Sequence, residues 1–441
     1  MAHSGAAPED PAASRGISRR TQSEIYRSGI SGTRPRVPVD TDGLEAAARR
    51  ALSAEAFAYI AGGAGAERTV AANRAAFARW QVWPRPLRDV SSRDLSIDFL
   101  GVRRPTPLLL APLGVMEMAH AEADLAVARA AASLGVPYTL SNQASFPMEA
   151  VADAAPGGSR LFQLYWSASD ELNGSLLRRA EASGCEAIVV TLDTHLLGWR
   201  TRDLDLAYLP FTRAMGIAQY TSDPVFQQLV RERSRAAAEP APPVRVTPQA
   251  VAAGVRIARK GAALTGTKSV RENLRSPLPR AAVETFLDVF STPALTWDDL
   301  AKARQWTSLP IILKGIVHPD DAIRALDAGV DGIWISNHGG RQIDQSVPTL
   351  EVLPTIAERV AGRVPIVFDS GVRQGSDVFI ALALGASAVA LGRPYSYGLG
   401  IAGEAGVREV VRNVLAELDI TLGLSGHTSI AEVGRDALRQ V

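Results

Sequence analysis

The densest chemistry in the chain is the run Ser336-Asn337-His338-Gly339-Gly340-Arg341-Gln342. It sets an imidazole three residues ahead of a guanidinium, with two glycines between them. Such a pair suits a substrate that carries a carboxylate next to a C–H or O–H. Arg341 would hold the carboxylate through a bidentate pair, and His338 would take the proton. A lone histidine is more often structural than catalytic, but this one closes an apolar run. Asp193, ending Thr191-Leu192-Asp193, is a candidate to orient His338 and stabilise its imidazolium; otherwise it is a turn residue. Lys314 ends the apolar run PIILK and must face an open mouth to avoid a costly burial. It could form a Schiff base, or supply positive charge to a cofactor that becomes negative on reduction. Two further clusters, Asp369-Ser370-Gly371-Val372-Arg373 and Gly392-Arg393, pair glycines with arginines. That is the composition of a phosphate site, in which the glycines allow close backbone approach and the arginines pair with a dianion.

These clusters share a position: each follows a short apolar run. The runs are Pro107–Ala111, Val136–Leu140, Leu161–Tyr165, Ala187–Thr191, Pro310–Lys314, Asp331–Ser336, Pro365–Asp369 and Ser387–Leu391. Each is nearly continuous in apolar residues, as expected of parallel strands covered on both faces. Helical segments alternate with them. Eight such units predict an α/β fold, a (β/α)8 TIM barrel, whose active site lies at the C-terminal ends of its strands. Read in order, those ends carry Ala111-Pro112-Leu113-Gly114, Ser141-Asn142, Gln163 with Tyr165, Thr191 with Asp193, Lys314, Ser336 to Gln342, Asp369 to Arg373, and Gly392-Arg393. A doubly wound open sheet lacks support, because no run is followed by a G-x-G-x-x-G helix start.

Residues 1–40 form an N-terminal arm, partly disordered, with the first ~20 too poor in apolar surface to order. Residues 41–441 form the barrel. A helical pattern over 43–62 ends at Gly62-Gly63. An insertion at about 205–295 separates the fourth and fifth strands and is read as a functional or disordered loop. Its middle, 231–280, holds 11 Lys/Arg against 3 Glu, although 47 basic and 46 acidic residues leave the whole chain at +1. GAALTGTKS (Gly261–Ser269) misses the spacing of a phosphate-binding P-loop and follows no strand. The overall balance excludes a generally basic nucleic-acid binder. The single cysteine, Cys185, excludes a disulfide framework and a Cys-rich zinc site, and no metal is invoked. No stretch of ~18 apolar residues predicts a membrane span. MAHSGAAPED lacks the apolar run of a secretory leader, so a cytoplasmic protein is expected.

SNHGGRQ resembles the signature of the FMN-dependent 2-hydroxy acid oxidase and dehydrogenase family. The likeness covers about residues 45–435 outside the insertion. Its lactate 2-monooxygenase branch is suggested by SEIYRSGISG (Ser23–Gly32), AYIAGGAG (Ala58–Gly65), APLGV (Ala111–Val115), LDTHLLGWRTRDL (Leu192–Leu204), YTSDPVFQ (Tyr220–Gln227) and FDSGVR (Phe368–Arg373). The resemblance implies FMN, with its phosphate at Gly371, Arg373, Gly392 and Arg393, and with Lys314 near the flavin N1/C2 carbonyl. Pro112, Leu113, Gly114, Ser141, Gln163, Thr191, Ser336 and Asp369 would complete the cofactor pocket. It implies His338 as base assisted by Asp193, Arg341 and Arg200 on the substrate carboxylate, and Tyr59 and Tyr165 as hydrogen-bond partners of the substrate. The implied reaction takes a 2-hydroxy acid to a 2-keto acid with oxygen as acceptor. Gly114, where oxidase branches carry Ala, adds the expectation of extra room beside the flavin and of oxidative decarboxylation within the site. The other outcome is release of keto acid and hydrogen peroxide. A non-enzymatic flavin-binding scaffold and a Schiff-base aldolase are the readings from other classes. Family likeness implies a homotetramer or homo-octamer. Asn142–Pro147 departs from the usual second-strand loop, and the basic insertion raises the prospect of a larger or doubly anionic substrate.

Overall fold

The computed structural model describes residues 16–236 and 247–441. The expected disorder of residues 1–15 and the centre of the insertion lie outside the described residues. Eight parallel strands close a barrel: β1 (Leu108–Leu110), β2 (Tyr138–Ser141), β3 (Arg160–Tyr165), β4 (Ala187–Thr191), β5 (Ile311–Ile316), β6 (Gly332–Ile335), β7 (Ile366–Phe368) and β8 (Ala388–Leu391). The circle closes where Val389, Ala390 and Leu391 pair with Leu108, Leu109 and Leu110. Helices outside and packed side chains inside bury nearly every strand residue, which is why the strands read as unbroken apolar runs. Fully burying one Val, Leu or Ile contributes about 1.5–3 kcal/mol, so this barrel is the main store of stability.

One irregularity positions chemistry. The register of β5 against β6 shifts between Lys314 and Ile316. Gly315 lies in this bulge at φ +106°, and a Cβ there would stand 3.0 Å from that of Asp193. A bulge re-aims its neighbours, and here it lets Lys314 face the barrel mouth while Asp193 passes close behind.

Three sequence expectations are revised. The single helical pattern over 43–62 is two helices, Thr41–Ala51 and Ala54–Ala61, because Ser53 caps the second by accepting from Ala56 N at 3.2 Å. Residues 16–20, read as disordered, belong to the helix Gly16–Ile30. That helix lies along the last helix, Arg393–Leu424, where the buried Asp419 accepts from the Ser18 backbone and hydroxyl and from Arg93. The described part of the insertion is not a loop: it contains helices Pro224–Ala236, Pro248–Lys260 and Leu278–Val289, with the short helices Ala262–Thr265 and Val270–Arg275 between the last two. Its own core is aromatic. Tyr220 meets Phe286 edge-on at 4.8 Å, and Phe286 stacks on Phe290 at 5.2 Å.

Candidate active site

The strand ends surround a cavity that opens to solvent, with about 990 Å³ of empty space when the open solvent at its mouth is included. His338 lies on it in a left-handed conformation, φ +58°, followed by Gly339 at +64° and Gly340 at +77°. Such a backbone costs a non-glycine residue about 1–3 kcal/mol. Three hydrogen bonds offset that cost: His338 N to Ser336 Oγ (3.0 Å), Gly339 N to Ser370 Oγ (3.0 Å) and Gly340 N to Asn337 Oδ1 (3.1 Å). The glycines are also needed for space, since a Cβ on Gly339 would fall 2.8 Å from Arg393 Nη1.

His338 Nδ1 lies 2.9 Å from Asp193 Oδ1, and Thr194 Oγ1 donates to the same oxygen at 2.9 Å. A carboxylate only accepts, so the imidazole proton sits on Nδ1 and Nε2 is left with a free lone pair. No protein partner meets Nε2 among the described residues. Burial pushes the imidazole pKa down, and Asp193 only partly offsets this. Burial pushes the Asp193 carboxyl up, but His338, Lys314 and Thr194 together hold it down to about 2. The pair is thus a neutral imidazole against a carboxylate.

Lys314 Nζ donates to Ser336 Oγ at 2.9 Å and lies 3.6 Å from Asp369 Oδ2, which also accepts from Trp334 Nε1 at 2.9 Å. Asp369 therefore balances Lys314 as well as lining the cavity. The arginines differ: among the described residues, Arg200, Arg341, Arg373 and Arg393 form no salt bridge with a carboxylate. Arg341 gives Nη1 to the carbonyls of Tyr59 and Gly62, so less of its fork is open than the sequence reading assumed. Arg393 donates to the carbonyls of Ile60, Gly62 and Gly339. Burial and the Arg200 charge push Arg341 down to about 9, and burial with the Arg393 charge pushes Arg373 down to about 10. Guanidiniums gathered without salt-bridge partners, with Asp203 and Glu45 acting on them only from a distance, form a site prepared for anions. Tyr59 faces two of them, its ring 5.0 Å from Arg341 Cζ and 5.9 Å from Arg200 Cζ.

The structure brings Tyr59, Pro112, Leu113, Gly114, Tyr165, Arg200, Lys314, His338, Arg341, Asp369, Gly371, Arg373, Gly392 and Arg393 onto the cavity. Asp193, Ser141, Gln163, Thr191 and Ser336 stand behind its surface. Ser141 donates to Gln163 Oε1 at 3.0 Å, whereas Gln163 Nε2 and Thr191 Oγ1 are buried with no hydrogen-bond partner.

Two reasons given for glycines change. Gly371 is required by packing, because a Cβ would meet Asn73 O at 2.5 Å; Gly392 is the one that leaves open space. Gly114 opens no room either: a Cβ there would lie 2.9 Å from Gln143 Cβ, so Gln143 already fills it. The sequence reading missed Met116, Gln143, Thr194, Leu197, Phe211 and Phe290, which also line the cavity. Gln143 sat in the loop singled out as unusual, and Phe286 and Phe290 are spaced i, i+4. Nothing local showed that the insertion folds back over the mouth.

Fold and site together define a (β/α)8 barrel whose strand ends gather an imidazole, a lysine and four arginines around one cavity. The chain belongs to the FMN-dependent dehydrogenase family, whose profile matches residues 48–440. It is 38% identical to the L-lactate oxidase of Lysinibacillus sphaericus over 94% of this chain and 96% of that one. The 4-hydroxymandelate oxidase of Amycolatopsis orientalis is 38% identical over 89% and 96%, and human 2-hydroxyacid oxidase 1 is 36% identical over 89% and 94%. The crystal structure of mandelate oxidase with (S)-4-hydroxymandelic acid superposes with a TM-score of 0.73 at 36% identity, covering 91% of this chain and 98% of that chain. FMN is therefore the cofactor and the protein is an FMN-dependent oxidoreductase, which removes the aldolase and scaffold readings. No described helix is long and apolar enough to cross a membrane.

Proposed function

We propose that the protein oxidises a 2-hydroxy acid to its 2-keto acid with oxygen as acceptor, and that keto acid and peroxide then react before leaving. The observation that carries the oxidation is the unpartnered His338 Nε2 on the same cavity as two guanidiniums that have no salt-bridge partner among the described residues. The residues fit FMN. Arg373, Arg393 and Gly392 would hold its phosphate, and Pro112, Leu113 and Gly114 would flank it. The buried donors Gln163 Nε2 and Thr191 Oγ1, with Ser141 behind them, would satisfy the polar edge of its ring. FMN supplies the two-electron acceptor that oxidises the hydroxyl-bearing carbon and passes the electrons to oxygen.

The chain does the rest. Arg200 and Arg341 hold the carboxylate, and Tyr59 and Tyr165 hydrogen-bond the substrate. Burial pushes the Tyr165 phenol up, so it remains a neutral donor. His338 Nε2 accepts the proton the substrate sheds, and Asp193 stabilises the resulting imidazolium. Lys314, steadied by Ser336 and Asp369, brings positive charge to the cofactor side. Oxygen becomes hydrogen peroxide. Peroxide and the keto acid then give a carboxylic acid one carbon shorter, carbon dioxide and water. Phe211 and Phe290, which wall the cavity on the insertion side, support that retention. The oxidase names of the relatives favour a second reading, in which keto acid and peroxide are released. The protein's visible spectrum and its bleaching by 2-hydroxy acids without oxygen test the oxidation. Aerobic product analysis tests the outcome, and stoichiometric peroxide and keto acid would sink the decarboxylation. A homotetramer or homo-octamer in the cytoplasm remains part of this proposal by family likeness, with sedimentation velocity as the check on assembly.

A further inference from the structure

One wall of the cavity is asked above only to retain products, and its contact with the substrate is still unassigned. Phe211 and Phe290, from the two ends of the insertion, lie 6.3 Å apart at 27°, and Phe286 backs both at 5.1 and 5.2 Å. The slab is pinned to the barrel, since Tyr220 meets Phe286 edge-on and accepts from Asn142 Nδ2 at 2.8 Å. Next to Asn142, Gln143 is wedged between two glycines. A Cβ on Gly114 would lie 2.9 Å from its Cβ, and a Cβ on Gly216 would lie 2.9 Å from its carbonyl oxygen. Its backbone is fully used, with N donating to Ser141 Oγ at 3.0 Å and O accepting from Val115 N at 2.8 Å. Its side-chain amide is not: Gln143 is only 6% exposed, lines the cavity, and has no side-chain hydrogen-bond partner among the described residues. The amide faces the cavity with its hydrogen-bonding capacity unused by the protein, so a ligand atom can meet it. No lysine or arginine of the insertion lines the cavity among the described residues; the insertion's described contribution to this wall is aromatic.

We infer that the substrate's variable end is a ring-sized apolar group bearing one hydrogen-bonding substituent. The ring seats against Phe211 and Phe290, and the substituent meets the Gln143 amide. This rests on the proposed oxidation and names the substrate class of that site.

The test is equilibrium binding to the FMN-loaded protein, read by perturbation of the flavin spectrum. The probes are acetate, phenylacetate, and 3- and 4-hydroxyphenylacetate, which lack a 2-hydroxyl and are not oxidised. Phenylacetate is expected to bind at least about tenfold tighter than acetate. One of the hydroxyl isomers should gain about threefold to tenfold more. Gln143→Leu should remove the second gain only, and Phe211→Ala and Phe290→Ala the first. Equal binding of acetate and phenylacetate, or a hydroxyl gain that survives Gln143→Leu, overturns the inference. The ligand series on the unaltered protein decides it even where a variant does not fold. Anaerobic bleaching by (S)-lactate and (S)-mandelate separates the two layers. Fast bleaching by lactate with no preference for aryl ligands overturns this wall and keeps the reaction. The expected binding order without any bleaching supports the wall and overturns the reaction.

Discussion

Asp193→Asn isolates the partner of the candidate base. The Asp193 carboxyl is held from its ordinary 3.8 down to about 2, although burial alone pushes it up. At about 1.4 kcal/mol per pKa unit, the net effect is about 2 kcal/mol of interaction with its positive neighbours. Lys314 and Thr194 take a share, while the burial penalty has already been subtracted. A loss of about ten- to hundredfold in the rate of flavin reduction follows if His338 must become charged in that step. An asparagine can also donate to Nδ1, which would move the imidazole proton to Nε2 and occupy the lone pair that accepts the substrate's proton. The pH dependence has a definite sign. Burial, Lys314 and Arg200 lower the His338 pKa and Asp193 raises it. Without the carboxylate it falls further, so the acid limb of the rate profile moves to lower pH while the plateau drops. The assay is stopped-flow bleaching of bound FMN by (S)-mandelate without oxygen, across the acid limb. FMN should stay bound, because Asp193 stands behind the cavity surface. An unchanged plateau, or an acid limb that moves upward, would refute the role.

Arg341→Lys should raise KM about ten- to hundredfold with FMN retained, because an ammonium cannot hold the Tyr59 and Gly62 carbonyls and still offer a fork; steady-state kinetics with a visible spectrum check it. Gly114→Ala should cost about 1–3 kcal/mol by pushing Gln143 from its place, read as a lower urea midpoint. Asp124 is buried, and burial pushes its carboxyl up to about 6 against hydrogen bonds from Ser145 N and the Tyr138 hydroxyl. A raised folded-state pKa means that the native state binds the extra proton, so this group's stability contribution falls by about 3 kcal/mol as pH rises from 3.8 to 6. Asp124→Asn should therefore gain on the wild type over that window, and urea midpoints that stay parallel at both ends would contradict it.

The barrel was legible because its strands are buried on both faces, and the observed ends fall within about two residues of the apolar runs. The imidazole, the lysine and the two arginine clusters were legible for the same reason: each follows a run directly. Tyr59 and Arg200 were not, since they lie on segments outside the strand rhythm and came only with the family resemblance. The arm helix depends on Asp419, some 400 residues from Ser18, a contact no local pattern carries. The insertion misled because its apolar surface closes on its own aromatic core, leaving a sequence that reads as a charged loop.

That misreading bears on the substrate. A strongly basic insertion suggested a doubly anionic ligand, yet none of its described cations lines the cavity, and three pair elsewhere: Lys260 with Glu117, Arg233 with Glu284 and Asp288, and Arg280 with Glu284. The cavity's positive charge comes instead from Arg200, Lys314, Arg341, Arg373 and Arg393 on the barrel rim. Asp193, Asp369 and Asp203, the last acting on both Arg341 and Arg200, offset part of it, and His338 is neutral, so the rim keeps a net positive charge. A second carboxylate on the substrate would face Phe211, Phe290 and Met116, with no cation on that wall among the described residues to offset its desolvation. The placing of charge on the rim and the apolar chemistry of the wall thus both support the proposed substrate class, a monocarboxylate with an uncharged variable end.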